Sequence, residues 1–262
     1  MALNIVLIFT KVPIPGLAKT RLTKNSVLSE EDVALIAEAM LKDTISLSSK
    51  SKADQIYLGY FPEKDKAFLE NIVGNLHTDG NLDKPIYYIL QRGSNFDERF
   101  GSVVNSAFLK EVNNLIILGA DLPHLDPEIL NKSFNYLSAR INKKIVVIGP
   151  ANGGGIYLVG INREFDDKWF TQYQLFRGGV EISQFVYLCK DKDIELILLP
   201  SYGDIDLEED LVSLIAYIEA LSISKQYNGF YYPNYTAKIV EDLGLYILEI
   251  EDETRHRKIG KK

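Results

Sequence analysis

Directly after the first apolar run, residues 10–22 read TKVPIPGLAKTRL. Lys11, Lys19 and Arg21 put three cations within eleven positions, Pro13 and Pro15 restrict the backbone, and Gly16 lets the main chain approach a ligand closely. Such a loop can surround a di- or triphosphate, with Arg21 supplying a planar fork and the lysines point charges. The competing interpretation is a solvated basic loop, since neither the Walker A pattern nor the dinucleotide glycine pattern is present.

Acidic residues supply the complementary chemistry. Asp121 lies in GADLP (119–123), immediately after the apolar LIIL of 115–118, where a carboxylate at a strand's carboxyl end can hold a divalent cation that neutralises phosphates. In Asp204-Ile205-Asp206 an extended backbone is expected to present one carboxylate to a ligand, Asp204 by a small margin, leaving Asp206 to cap the next helix with Glu209 as a capping box. Gly153-Gly154-Gly155, within GPANGGG (149–155), offers side-chain-free backbone for a sugar or base, or else an ordinary turn. Gln91 with Glu98 and Arg99 makes a weaker set at a helix start. His124, beside a proline turn, reads as structural, and the lone Cys189, in FVYLC, as a small buried hydrophobe.

These loops need a frame. Apolar runs at 4–9, 55–61, 86–90, 115–118, 145–148, 156–159 and 194–199 read as strands, and between most of them lie helical patterns. Ser29 with Asp32 is a capping box opening a helix along Val33, Ile36, Met40, Thr44 and Leu47. Further helices are expected over 63–73, 96–110, 180–190 and 207–221, and Asp126-Pro127 starts another carrying Ile129, Leu130, Phe134 and Leu137. The spacing around 149–155 is too short for a crossover helix and predicts a hairpin or a sharp reversal. Residues 162–180 lack periodicity and read as a mobile or site-covering segment. The alternation implies a three-layer α/β domain with a mostly parallel twisted sheet over residues 1–222, its ligands outside the strands' carboxyl ends. Residues 223–262 read as an appendage: a Tyr-rich loop, a strand at 245–250 and a basic tail. It is expected to cover part of the domain or to form a homo-oligomer contact through Tyr227, Phe230, Tyr231, Tyr232 and Tyr235.

Composition limits the partners. With 29 Lys and Arg against 36 Asp and Glu, a net charge of -7 disfavours a nucleic-acid partner, and one cysteine excludes an intramolecular disulfide or a Cys-rich metal site. No apolar stretch approaches the roughly 20 residues of a membrane span, and the N-terminus lacks a secretion pattern, so a cytoplasmic location is expected.

The ordered set KVPIPGLAKTRL (11–22), Gln91 with Glu98-Arg99, GADLP (119–123), GPA (149–151), GGIYLVG (154–160) and DIDLEEDL (204–211) resembles the DUF2064 family of glycosyltransferase-A-like proteins over about residues 3–221. The resemblance implies the Rossmann-like nucleotide-diphospho-sugar transferase fold. It also implies a nucleotide-binding loop at Pro15, Gly16, Lys19, Thr20 and Arg21, a strand-end aspartate at Asp121, and a last aspartate motif at Asp204, Asp206 and Asp210. Gly153 stands where the family commonly has Asp. The expected cofactor is Mg²⁺ or Mn²⁺ on Asp121, Asp204 and Asp206. The expected ligand set joins Lys11, Gln91, Arg99, Gly154 and Gly155 to the first loop, with Lys19, Arg21 and Asp121 acting on the leaving group. The first expectation is a glycosyltransferase-like enzyme acting with a nucleotide-sugar and a small acceptor. The alternatives are a nucleotidyltransferase, guanylyltransferase-like, moving NMP from an NTP to a small phosphorylated acceptor, and a catalytically weak nucleotide-binding module.

Overall fold

The structure is a computed structural model and describes residues 3–110, 112–177, 180–248 and 257–262. Its centre is a seven-stranded sheet formed by β1 (Leu3–Lys11), β2 (Gln55–Phe61), β3 (Ile86–Leu90), β4 (Val112–Gly119), β5 (Ile145–Pro150), β6 (Ile156–Asn162) and β7 (Glu195–Leu198), in the order β3-β2-β1-β4-β6-β5-β7. β6 runs antiparallel to both its neighbours, and the other pairs are parallel. The expected reversal is thus a hairpin between β5 and β6. Strand β1 is apolar on both faces because both are covered: Val6 and Ile8 enter one core, Ile5 and Leu7 the other.

One face carries α1 (Glu30–Ser49), α2 (Lys66–Thr78) and α4 (Pro127–Ser138), and the other α3 (Phe96–Phe108), the short α5 (Trp169–Gln172) and α6 (Glu181–Lys192). The expected caps form: Ser29 and Asp32 exchange hydrogen bonds at the start of α1, and Asp126 accepts from Glu128 N–H before Pro127. Residues 162–177 are packed rather than mobile, because Phe165, Trp169, Phe170 and Leu175 fill the second core. Aromatic density, not periodicity, orders this segment.

α1 is buried nearly all round because a third layer covers its outer face. Val33, Ile36 and Met40 pack with Leu211, Leu214, Ile215 and Ile218 of α7 (Glu208–Asn228), with α8 (Asn234–Asp242), and with the small antiparallel pair β8 (Leu245–Leu248) and β9 (Lys258–Lys261). α7 runs as one continuous helix across the boundary between residues 222 and 223, where domain and appendage were expected to meet. The end of the basic tail is a strand, not a free charged segment: Ile259 enters the core and Lys261 reaches Asp32 at 2.7 Å. Residues 249–256, which hold the rest of the expected strand and tail, lie outside the described residues. Asp43, fully buried on α1, receives the N–H groups of Tyr235 and Thr236 at the start of α8, at 3.2 and 2.7 Å, and the Tyr231 hydroxyl. A carboxylate of α1 thereby satisfies the free N–H groups of α8 from outside the helix.

Candidate functional site

The parallel strands β1, β2, β3 and β4 end along one edge of the sheet, and the amino end of β6 joins them because Leu158 pairs with Leu118. A cavity of about 510 Å³ opens there. The 12–22 loop is held over it by three anchors: Val12, whose N–H bonds Phe61 O at 2.8 Å, buried Ala18, and Leu22, which sinks into the third core. Between the last two, Lys19 takes a left-handed backbone (φ 52°), aiming its side chain across the cavity floor.

Lys19 Nζ lies 2.6 Å from Asp121 Oδ1 and 4.0 Å from Asp206 Oδ1, and donates to Ile205 O at 2.5 Å. Arg21 Nη1 pairs with Asp206 Oδ2 at 2.5 Å. The 204–206 segment is tied to this centre by Ile205 N–H on Asp121 O at 3.1 Å. Of this pair Asp206, not the expected Asp204, lines the cavity. Burial raises the Asp204 carboxyl above its ordinary value, the Asp121 charge adds to this, and Lys19 opposes it. Nor does Asp206 cap α7. Asp210 Oδ2 accepts from the N–H groups of Asp206 and Leu207, which leaves the Asp206 carboxylate for Arg21.

The remaining expected ligands divide. Lys11, Thr20, Gln91 and Arg99 line the cavity, whereas Pro15, Gly16, Gly154 and Gly155 do not. Gly16 sits against the Glu30 carboxylate at the start of α1, and Gly154 (φ 84°) packs so tightly on Val180 that a Cβ would come within 2.3 Å of it. The glycine run therefore serves the close approach of the hairpin to α6. Gln91 is buried and spends its amide on Thr10 O and Gly59 O at 2.9 and 2.8 Å, pinning the ends of β1 and β2. Glu98 turns from the cleft and accepts from Ser94 and Asn95 at the α3 start. Arg99 lies over the Phe61 ring and donates to Asn95 O, and Lys11 donates to Leu17 O. Among the described residues no carboxylate pairs with either cation.

Residue reasoning missed an aromatic wall of Phe9, Phe96, Phe100 and Phe176, with ring centroids 4.6 to 5.9 Å apart. Phe96 is 40 % exposed at the mouth. Asp97, 1 % exposed, accepts the Phe176 N–H at 2.9 Å and so fixes the 162–177 segment to α3. The i, i+4 spacing of Phe96 and Phe100 was the available signal. His124 stays structural, set beside Tyr202 and Tyr217, and burial lowers its imidazole to about 4. Cys189 is buried, its thiol pushed up to about 11.

Among the described residues no three His, Cys, Asp or Glu side chains gather as a metal cage, and no helix is long and apolar enough to cross a membrane. Over 228 residues, 79 % of this chain and 83 % of the relative, the sequence is 23 % identical to the 2-phospho-L-lactate guanylyltransferase of Methanosphaera stadtmanae. The crystal structure of a Desulfovibrio desulfuricans protein assigned by name to the nucleotide-diphospho-sugar transferases superposes with TM-score 0.74 at 23 % identity, covering 92 % of this chain and 95 % of that one. The 4-diphosphocytidyl-2C-methyl-D-erythritol synthase of Anaerococcus prevotii superposes with TM-score 0.53 at 14 % identity, covering 83 % and 96 %. The three-layer α/β fold is thus shared with these two solved proteins. The model of DUF2064, uncharacterized protein conserved in bacteria, matches residues 45–178, and the chain belongs to that family.

Proposed function

We propose that this chain is a cytoplasmic nucleotidyltransferase that moves NMP from a nucleoside triphosphate to a small phosphorylated acceptor. The acceptor oxygen bonds to the α-phosphorus, the α–β phosphoanhydride breaks, and pyrophosphate leaves with the bonding electron pair. The observation that carries this reading is the convergence of Lys11, Lys19, Arg21, Arg99 and Asp121 on one cavity at the carboxyl ends of β1 and β4. The guanylyltransferase relative supports nucleotidyl transfer over the glycosyltransferase-like alternative.

The chain's own groups suit the reaction. Cations of the first loop and Arg99 neutralise the triphosphate and the charge that develops on pyrophosphate, and the Phe96 wall shields one side of the cavity from water. Asp121, Asp204 and Asp206 are hard oxygen donors of the kind that hold Mg²⁺ or Mn²⁺ when phosphate oxygens complete the shell. Such an ion, once bound, would offset phosphate charge. Lys19 now holds the place such an ion would take on Asp121.

The test is a panel of nucleoside triphosphates with 2-phospho-L-lactate and other small phosphorylated acceptors, run with Mg²⁺ or Mn²⁺. Acceptor-dependent pyrophosphate release is expected. Release of NDP from a nucleotide-sugar, with none of pyrophosphate, would overturn the reading for the glycosyl alternative, and binding without turnover would favour the binding module.

A further inference from the structure

Two carboxylates, Asp121 and Asp206, line the cavity with two cations, Lys19 and Arg21. The Lys19 side chain is 12 % exposed, and its ammonium touches Asp121 and Ile205 O while facing Asp206. Arg21 takes the far oxygen of Asp206. Both carboxylates are therefore occupied by a protein cation. A dication reaching Asp121 would have to approach an ammonium already in contact with it, 2.6 Å away. Ile205 O, which accepts from the ammonium at 2.5 Å, holds it there.

We propose that Lys19 is a built-in counter-ion of this acidic centre: in the free protein its ammonium closes Asp121 to divalent cations, and it releases that carboxylate only when a phosphate draws it away. The proposal rests on the reading that this cavity takes phosphates. Lys11 and Arg99, which no described carboxylate neutralises, give a phosphate its first attraction. Once there, it competes with Asp121 for Lys19 and adds its own oxygens to the freed carboxylate. Cation and phosphate then enter together, each raising the other's affinity by the same factor.

Two measurements without turnover test this. Mn²⁺ alone, titrated while free Mn²⁺ is followed by electron paramagnetic resonance, is expected to bind Lys19→Met about ten-fold or more tighter than wild type, a gain equivalent to one charge contact. Lys19→Arg, which keeps the charge, should exclude Mn²⁺ as wild type does, and Lys19→Met with Asp121→Asn should lose the gain. In the second measurement pyrophosphate is titrated calorimetrically in EDTA. Asp121→Asn is expected to bind it about ten-fold tighter than wild type, because Lys19 is released, and the double variant should lack that gain. Equal Mn²⁺ affinity in Lys19→Met and wild type, or unchanged pyrophosphate affinity in Asp121→Asn, overturns the proposal. The second arm decides even where Lys19→Met does not fold. Should no variant bind pyrophosphate, the phosphate reading of the cavity fails, and the Mn²⁺ arm still judges the counter-ion.

Discussion

Arg99 and Lys11 differ from Lys19 and Arg21 in having no carboxylate partner among the described residues, and this sorts the consequences of removing each. Arg99→Met should weaken nucleoside triphosphate binding by roughly 10- to 150-fold, the equivalent of a charge-assisted contact of about 1.5–3 kcal/mol. Arg21→Ala should weaken it too, by uncovering Asp206, so adding Asp206→Asn should recover most of the loss. Calorimetric titration of the three variants checks both; an Arg21→Ala defect untouched by Asp206→Asn would assign Arg21 to direct phosphate contact. At this scale the loop cations and Asp121 were legible because they follow apolar strands whose ends must share an edge. Gln91 was not, since nothing in its neighbours announces that its amide would be spent on Thr10 O and Gly59 O, carbonyls brought near only by the sheet. Asp206 rather than Asp204 lines the cavity, because Asp210 takes over the capping of α7 that was expected of Asp206.

Among the elements, the join between α3 and the 162–177 segment controls the aromatic wall. Asp97→Ala leaves the Phe176 N–H without its acceptor, which should cost about 1–3 kcal/mol and loosen Phe176 against Phe100. A lower Tm together with weaker nucleotide binding is expected, and unchanged binding at a lowered Tm would separate the wall from the ligand. Ser29→Ala, which removes half of the α1 capping box, should cost about 1 kcal/mol and leave binding alone, as denaturant titration can show. The strands and helices were legible because apolar runs and cap residues are local signals. The 162–177 segment was not, because its order comes from aromatic rings meeting α3 and α6, and α7 gained its start from Asp210 rather than Asp206 because the cavity claims Asp206.

Across the whole molecule, the buried Asp43 joins α1 to α8, and burial pushes its carboxyl up to about 7 against the opposing pull of the Thr236, Tyr235 and Tyr231 donors. A raised carboxyl makes the folded protein bind more protons than the unfolded chain. Its stabilising contribution is therefore full below about pH 4 and is lost as pH rises toward about 7. His124, lowered to about 4, has the opposite slope: its contribution is present above about pH 6.5 and lost as pH falls toward 4. The two offset each other in wild type, so the difference in Tm between Asp43→Asn and wild type across pH 4 to 7 should isolate the Asp43 slope. A difference that does not change with pH would place the Asp43 proton elsewhere.

The third core cluster ties Leu22, Val33, Ile36 and Met40 near the amino end to Ile205, Leu211, Val240, Leu245 and Ile259 near the carboxyl end. Ribosomes release a chain from its amino terminus, so the outer face of α1 emerges long before anything that can cover it. Throughout that interval the growing polypeptide carries an apolar stripe with no intramolecular partner. Only when α7, α8 and the β8–β9 pair have followed does that stripe meet the partners it has in the folded protein.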